Sequence, residues 1–149
     1  MTIMEALYRI DELKPNSYSQ TEKIKWLSSL DWVIKSEIID THESREEIVF
    51  SGYDENANLS TKLLVDAPYD DIYLRWLEAQ IDYTNGEYGK YNNSIAMYNT
   101  TYTAFANYYN RTHMPKGKKF KYFGTPNTKE YQAANSVAKI TLEEEQTIG

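Results

Sequence analysis

Residues 74–109 read LRWLEAQIDYTNGEYGKYNNSIAMYNTTYTAFANYY. Within them Leu74, Leu77, Ile81, Thr84, Tyr88, Tyr91, Ile95, Tyr98, Tyr102, Phe105 and Tyr109 follow one another at alternating spacings of three and four. That alternation places them on one stripe of an α-helix, near a 3.5-residue repeat. Only Thr84 is neither apolar nor aromatic. Tyr88, Tyr91, Tyr98, Tyr102 and Tyr109 each bury a ring while their hydroxyls want a polar partner. Such a stripe suits packing against another protein surface, so these five are candidate interface residues and the expected fold class is mainly α.

Asn85-Gly86 interrupts the stripe. Gly86 could close a helix with a left-handed cap and turn the chain into a helical hairpin. The spacing nevertheless runs through both Gly86 and Gly89 without a slip, which favours one continuous, kinked helix of about 54 Å at a rise of about 1.5 Å per residue.

Upstream, Thr2 to Leu13 has Ile3, Leu7 and Ile10 on one face and a Thr2–Glu5 capping box, ended by Lys14-Pro15-Asn16. Ser19 followed by Glu22 opens a second helix, expected to reach about Thr41 with Ile24, Leu27, Leu30, Ile34 and Ile38 inward. Trp26 and Val33 widen its apolar surface. From His42 to Ala67 the periodicity is lost. Ile48-Val49-Phe50 and Leu63-Leu64-Val65 are short apolar runs that could pair as a small β-ribbon around the turn chemistry of Ser51 to Asn56. A loop of this length is a candidate for reaching a neighbouring subunit. Asp66-Ala67-Pro68 then reads as a helix opening, with Pro68 in the first turn and Asp70 and Asp71 at the positive end of the dipole.

The long helical segment stops at Thr112-His113-Met114-Pro115, which divides the chain into a helical domain, 1–115, and an extended C-terminal arm, 116–149. The arm begins with a basic and aromatic run containing Lys118, Lys119, Phe120, Lys121, Tyr122 and Phe123. A weak helix is expected over Thr128 to Ile140, followed by the acidic Glu143–Glu145. Residues 116–123 are the second candidate partner-binding site. Interleaved lysines and aromatics can hold a single-stranded nucleic acid by charge and stacking. They can equally dock as an extended arm on an acidic protein surface, and a net-acidic chain favours docking.

At 149 residues, 41% hydrophobic and 26% charged, the chain has the composition of a folded domain. The 14 tyrosines outnumber the 4 phenylalanines and 3 tryptophans together, as on surfaces that are part apolar and part wet. A net charge of −6 argues against coating duplex DNA. With no cysteine and two histidines, neither thiolate chemistry nor a structural zinc site is expected. His42 and His113 stand at helix ends, where a histidine interacts favourably with the dipole. Asp70-Asp71 and Glu143–Glu145 lack a calcium-loop spacing, and Gly86 and Gly89 match no phosphate-binding pattern. No enzyme activity, cofactor or metal is therefore expected. Four charges in Met1 to Leu13 disfavour a signal peptide, and no run approaches a membrane span. Three Asn-x-Ser/Thr triplets, at Asn92, Asn99 and Asn110, fall on or beside the long helix and carry little weight.

Several segments taken together resemble a known group. They are Ile3-Met4-Glu5-Ala6-Leu7, Ile10 to Asn16, Lys23 to Asp31, Tyr69 to Tyr73, Ala79 to Tyr83, Tyr91 to Ser94, and Tyr108 to His113. The set is similar to the head–tail connector (adaptor, or head-completion) proteins of tailed phages and prophages of Gram-positive bacteria, over residues 1–115. The resemblance implies a mostly helical virion protein, made in the host cytoplasm, that forms a ring, commonly of twelve copies, beneath the portal protein. It implies that the ring continues the DNA channel without sequence-specific binding and receives the tail or a second connector. It also implies a C-terminal arm that embraces the portal or an adjacent subunit. The loop 42–67 is longer than such a connector needs. Another tail-completion or assembly factor, or a single-strand-binding module using residues 116–123, is the alternative.

Overall fold

The computed structural model describes residues 1–44 and 46–117, and within them Met1–Lys116 forms one compact unit. Helix α1 spans Ile3–Leu13 and is closed at its start by the expected reciprocal bonds: Glu5 N donates to Thr2 Oγ1 at 3.2 Å, and Thr2 N to Glu5 Oε1 at 2.9 Å. It buries Ile3, Ala6, Leu7 and Ile10. Helix α2 spans Gln20–Ile34, with Ser19 Oγ capping Glu22 N at 3.1 Å. The helical path then widens into a π-turn over Lys35–Ile39, short of the expected end near Thr41. The extra residue in that turn lets Ile34, Ile38 and the adjacent Ile39 all enter the core.

Helices α3 (Ile72–Thr84) and α4 (Tyr88–Thr112) form an antiparallel hairpin. The continuous kinked helix favoured by the spacing is thus not what forms. Gly86 takes φ +77°, its N–H bonds Tyr83 O at 3.0 Å, and Glu87 N bonds Asp82 O at 3.0 Å. This pair of bonds is a glycine-closed helix end, in which the last carbonyls find donors as the chain reverses. The aromatic row of α4 then packs on rings of the α3 flank and its entry turn, not on the Leu74-Leu77-Ile81 row. Ring centroids lie 5.2 Å apart for Tyr83–Tyr91, 4.9 Å for Trp76–Tyr98 and 6.2 Å for Tyr69–Phe105.

Helix α3 also begins later than expected. Pro68, joined to Ala67 by a cis peptide, lies four residues before it. Residues 66–71 form successive turns, with Tyr69 N bonded to Asp66 O at 3.0 Å and Tyr73 N to Asp70 O at 3.2 Å. Tyr69 meanwhile stacks on Tyr108 at 4.7 Å, which ties this segment to α4 before α3 starts.

The β-ribbon expected within 42–67 does not form, and no strand occurs among the described residues. Leu63 N bonds Met1 O, Ile3 N bonds Thr61 O and Met4 N bonds Leu59 O, each at 3.0 Å. The second apolar run therefore pairs with the start of the chain instead of with Ile48-Val49-Phe50, and it drops Leu63 and Val65 into the core. The first run lies on α2, where Phe50 meets Trp32 edge-on at 4.8 Å and Tyr53 at 5.0 Å. Gly52, at φ +91°, permits this approach. A Cβ there would stand 3.1 Å from Trp32 Nε1 and 3.3 Å from Ser28 Oγ.

These two glycines differ in a measurable way. Gly86→Ala meets no neighbour within 4 Å and is expected to cost only the left-handed backbone term, about 1–2 kcal/mol. Gly52→Ala adds a tight contact with Trp32 and should lower the urea-unfolding midpoint further than Gly86→Ala does.

Candidate functional site

The most unusual polar group in the unit is Asp31, which is fully buried on the core face of α2. Its Oδ1 accepts from Tyr73 Oη at 2.6 Å, and its Oδ2 from Tyr53 Oη at 2.6 Å and Leu64 N at 3.2 Å. Tyr73 Oη in turn accepts from Val65 N at 2.8 Å, and Ser28 Oγ accepts from Tyr53 N at 3.0 Å. One carboxylate thus joins α2, α3 and both ends of the loop segment 53–65. Burial pushes the Asp31 carboxyl above its ordinary 3.8, outweighing the three hydrogen bonds that pull it down. The same burial, with the Asp31 charge beside them, raises the Tyr53 and Tyr73 hydroxyls. The arrangement satisfies every donor aimed at it, so its chemistry is positional: it holds the loop.

The candidate tyrosines divide into two groups. Tyr98 and Tyr109 are buried in the core of the unit, and Tyr102 is half-buried. Tyr102 Oη donates to Glu37 Oε1 at 2.7 Å, joining α4 to the π-turn. Burial, and then the Glu37 charge, push the Tyr98 hydroxyl up to about 12. Tyr91 is half-buried, and Tyr88 lies at the turn end of the hairpin with 60% of its surface exposed. These two flank the exposed Tyr83, at 5.2 and 5.7 Å. Only this second group presents aromatic surface outward. Lys118, Lys119, Phe120, Lys121, Tyr122 and Phe123 lie outside the described residues, as do the expected helix over 128–140 and the acidic run 143–145.

Both histidines converge on Tyr109. His113 stacks on its ring at 3.8 Å, and His42 meets it edge-on at 5.1 Å. His42 Nδ1 lies 2.6 Å from Ile38 O and Nε2 lies 2.7 Å from Asn110 Oδ1, so the ring fastens the π-turn to the end of α4. An open groove of about 660 Å³ runs beside it, lined by Glu43, Ser44, Glu46, Ile48, Thr112, His113 and Met114. Among the described residues no cluster of three or more histidines, aspartates or glutamates could hold a metal ion, and no helix is long and apolar enough to cross a membrane.

Sequence reasoning passed over two buried acids. Asp31 falls at three-four spacing with Ile24, Leu27, Ile34 and Ile38, and a charge inside an apolar stripe is the sign that could have revealed it. Asp82, 1% exposed, takes Lys14 Nζ at 2.8 Å and the Ser94 hydroxyl, joining the end of α1 to both arms of the hairpin. It follows Ile81, and its burial had no comparable sign. Neither a protein-family model, nor a curated protein, nor a solved structure matches this chain.

Removing one donor tests the hub directly. Tyr73→Phe leaves Val65 N–H without its acceptor and Asp31 with one bond fewer, an expected loss of about 1–3 kcal/mol in denaturant unfolding. The Asp31 shift also fixes a sign. A folded-state value above 3.8 means that the carboxyl contributes most below 3.8, and that this contribution is lost as pH rises through the folded value. The stability of the wild type minus that of Asp31→Asn should therefore grow as the pH is lowered from 7 toward 4, measured by unfolding at each pH.

Proposed function

We propose that this chain is a structural virion protein: a ring-forming head–tail connector that docks on the portal and continues the DNA channel toward the tail. The observation that carries the reading is the ordered set of segments similar to connector proteins. Four of them, Tyr69–Tyr73, Ala79–Tyr83, Tyr91–Ser94 and Tyr108–His113, belong to a single unit, the α3–α4 hairpin with its entry and exit. The helical character of Met1–Lys116 is in keeping with that group.

The geometry of the unit also favours a scaffold. Its buried polar groups tie elements together: Asp31 holds the loop, Asp82 the α1–hairpin junction, and His42 the end of α4. Outward, Tyr83 and Tyr88 present aromatic edges at the tip of the hairpin, and α4 carries no charge between Lys90 and Arg111, features suited to contact. In this reading the acidic net charge lets DNA pass without adhering, and the basic-aromatic residues 118–123 engage the portal or an adjacent copy.

Deleting residues 118–149 tests the assignment while keeping Lys116, whose N–H bonds Thr41 O at 2.8 Å. The shortened chain should keep its helical circular dichroism and unfolding midpoint yet fail to enter phage heads in a complementation assay. Normal incorporation would overturn the arm's part in docking, and absence of the full chain from purified particles would overturn the connector reading itself.

A further inference from the structure

Residues 114–116 stand at the edge of an acidic groove. Glu43 N bonds Met114 O at 2.7 Å and Lys116 N bonds Thr41 O at 2.8 Å, so this segment runs antiparallel to residues 41–43. The groove of about 660 Å³ beside His113 opens there. A second hollow of about 440 Å³ shares Glu43, Ser44, Glu46 and Ile48 with it, and adds Asp40, Glu47 and Lys116. Asp40 is held by Lys35. Glu43, Glu46 and Glu47 are exposed, and none forms an ion pair with another described residue. Among them lie the half-buried Ile48 and Met114, which is 52% exposed.

The sequence that follows has the opposite charge. Lys118, Lys119 and Lys121 stand among Phe120, Tyr122 and Phe123, and no Asp or Glu occurs between Glu87 and Glu130. With Lys116, four of the 16 lysines and arginines fall within residues 116–121, on a chain of net charge −6. Residues 43–47 carry three acids against Arg45, which lies outside the described residues. Such a groove repels a phosphate backbone and attracts a lysine-bearing segment. Aromatic rings suit its apolar part, because a methionine thioether packs well against them. Reach agrees with charge. Only Gly117 separates Lys116 from Lys118, and six extended residues span about 20 Å. A segment tethered this closely has an effective concentration of about millimolar, which a second copy in dilute solution does not match.

We propose that this groove is the docking site for the chain's own residues 118–123 while the protein is free. Lys118, Lys119 and Lys121 neutralise Glu43, Glu46 and Glu47, and the aromatic residues cover Ile48 and Met114. Exposed ion pairs are individually weak and are screened by salt, so the hold is reversible. The docking itself does not depend on the connector reading. Within that reading it deepens the arm's role, because a covered arm engages the portal or an adjacent copy only after release.

The test is brief tryptic cleavage of the full chain after Lys118, Lys119 and Lys121, followed by mass spectrometry. Glu43→Gln/Glu46→Gln/Glu47→Gln removes the groove's charges, and Glu12→Gln/Glu22→Gln/Glu55→Gln removes three acids elsewhere as a control. The groove side chains are exposed, so their variant should keep the wild-type unfolding midpoint. It should be cleaved about tenfold faster than wild type and control, because three modest pairs are lost together. That ratio should fall toward one between about 0.1 M and about 1 M salt, as the screening length shrinks from about 10 to about 3 Å. It should stay constant from about 1 to about 100 μM protein, as a tethered contact requires. Equal cleavage of wild type and groove variant overturns the inference. Protection that appears only at the upper concentrations assigns the groove to another copy's arm and overturns it too. Incorporation into heads is scored separately, so neither result decides the connector assignment.

Discussion

The carboxylate of Asp31 is withdrawn from water and bonded by two tyrosine hydroxyls and one backbone N–H, with no charged donor among the described residues. The rest of the unit is arranged around that constraint. Its burial cost exceeds what its three bonds return, which is why its carboxyl is raised. A group that costs stability and is nevertheless satisfied acts through position. Were Tyr53, Tyr73 or Leu64 displaced, a buried charge would lose a donor, so loop and helices lock together. Gly52 allows the loop backbone to reach Ser28 and Trp32, and the pairing of Leu59, Thr61 and Leu63 with the first residues of the chain holds its other end.

The hairpin follows a different logic. Its apolar stripe is strong enough that either a continuous helix or two facing ones would preserve it. In a unit with α1 and α2 alongside, a single long rod would leave much of the stripe in water. With the chain folded back, Leu74, Leu77 and Ile81 are buried in the same core as Tyr98, Phe105 and Tyr109. Gly86 makes the reversal cheap by accepting a left-handed backbone. The aromatic side becomes core, and the uncharged side is left facing outward, together with Tyr83 and Tyr88 at the tip.

Periodicity and capping residues alone located α1 and the start of α2, because both act within a few residues of chain: Thr2 with Glu5, Ser19 with Glu22, and the three-four rows that follow them; the same rows did not separate α3 from α4. The same rows named most of the core, including Ile3, Ile10, Ile24, Leu27, Ile34 and Leu77. Which partner each buried face would meet was decided only by tertiary packing. Spacing along a chain is blind to whether a stripe faces its own hairpin or another molecule, so Tyr98 and Tyr109 read as interface and are core. Asp31 read as one acid among 22 Asp and Glu. Its role depends on Tyr53, Leu64 and Tyr73, which stand 22, 33 and 42 residues away along the chain. Contacts over such separations leave no local pattern, and they come into being only when the loop closes over α2.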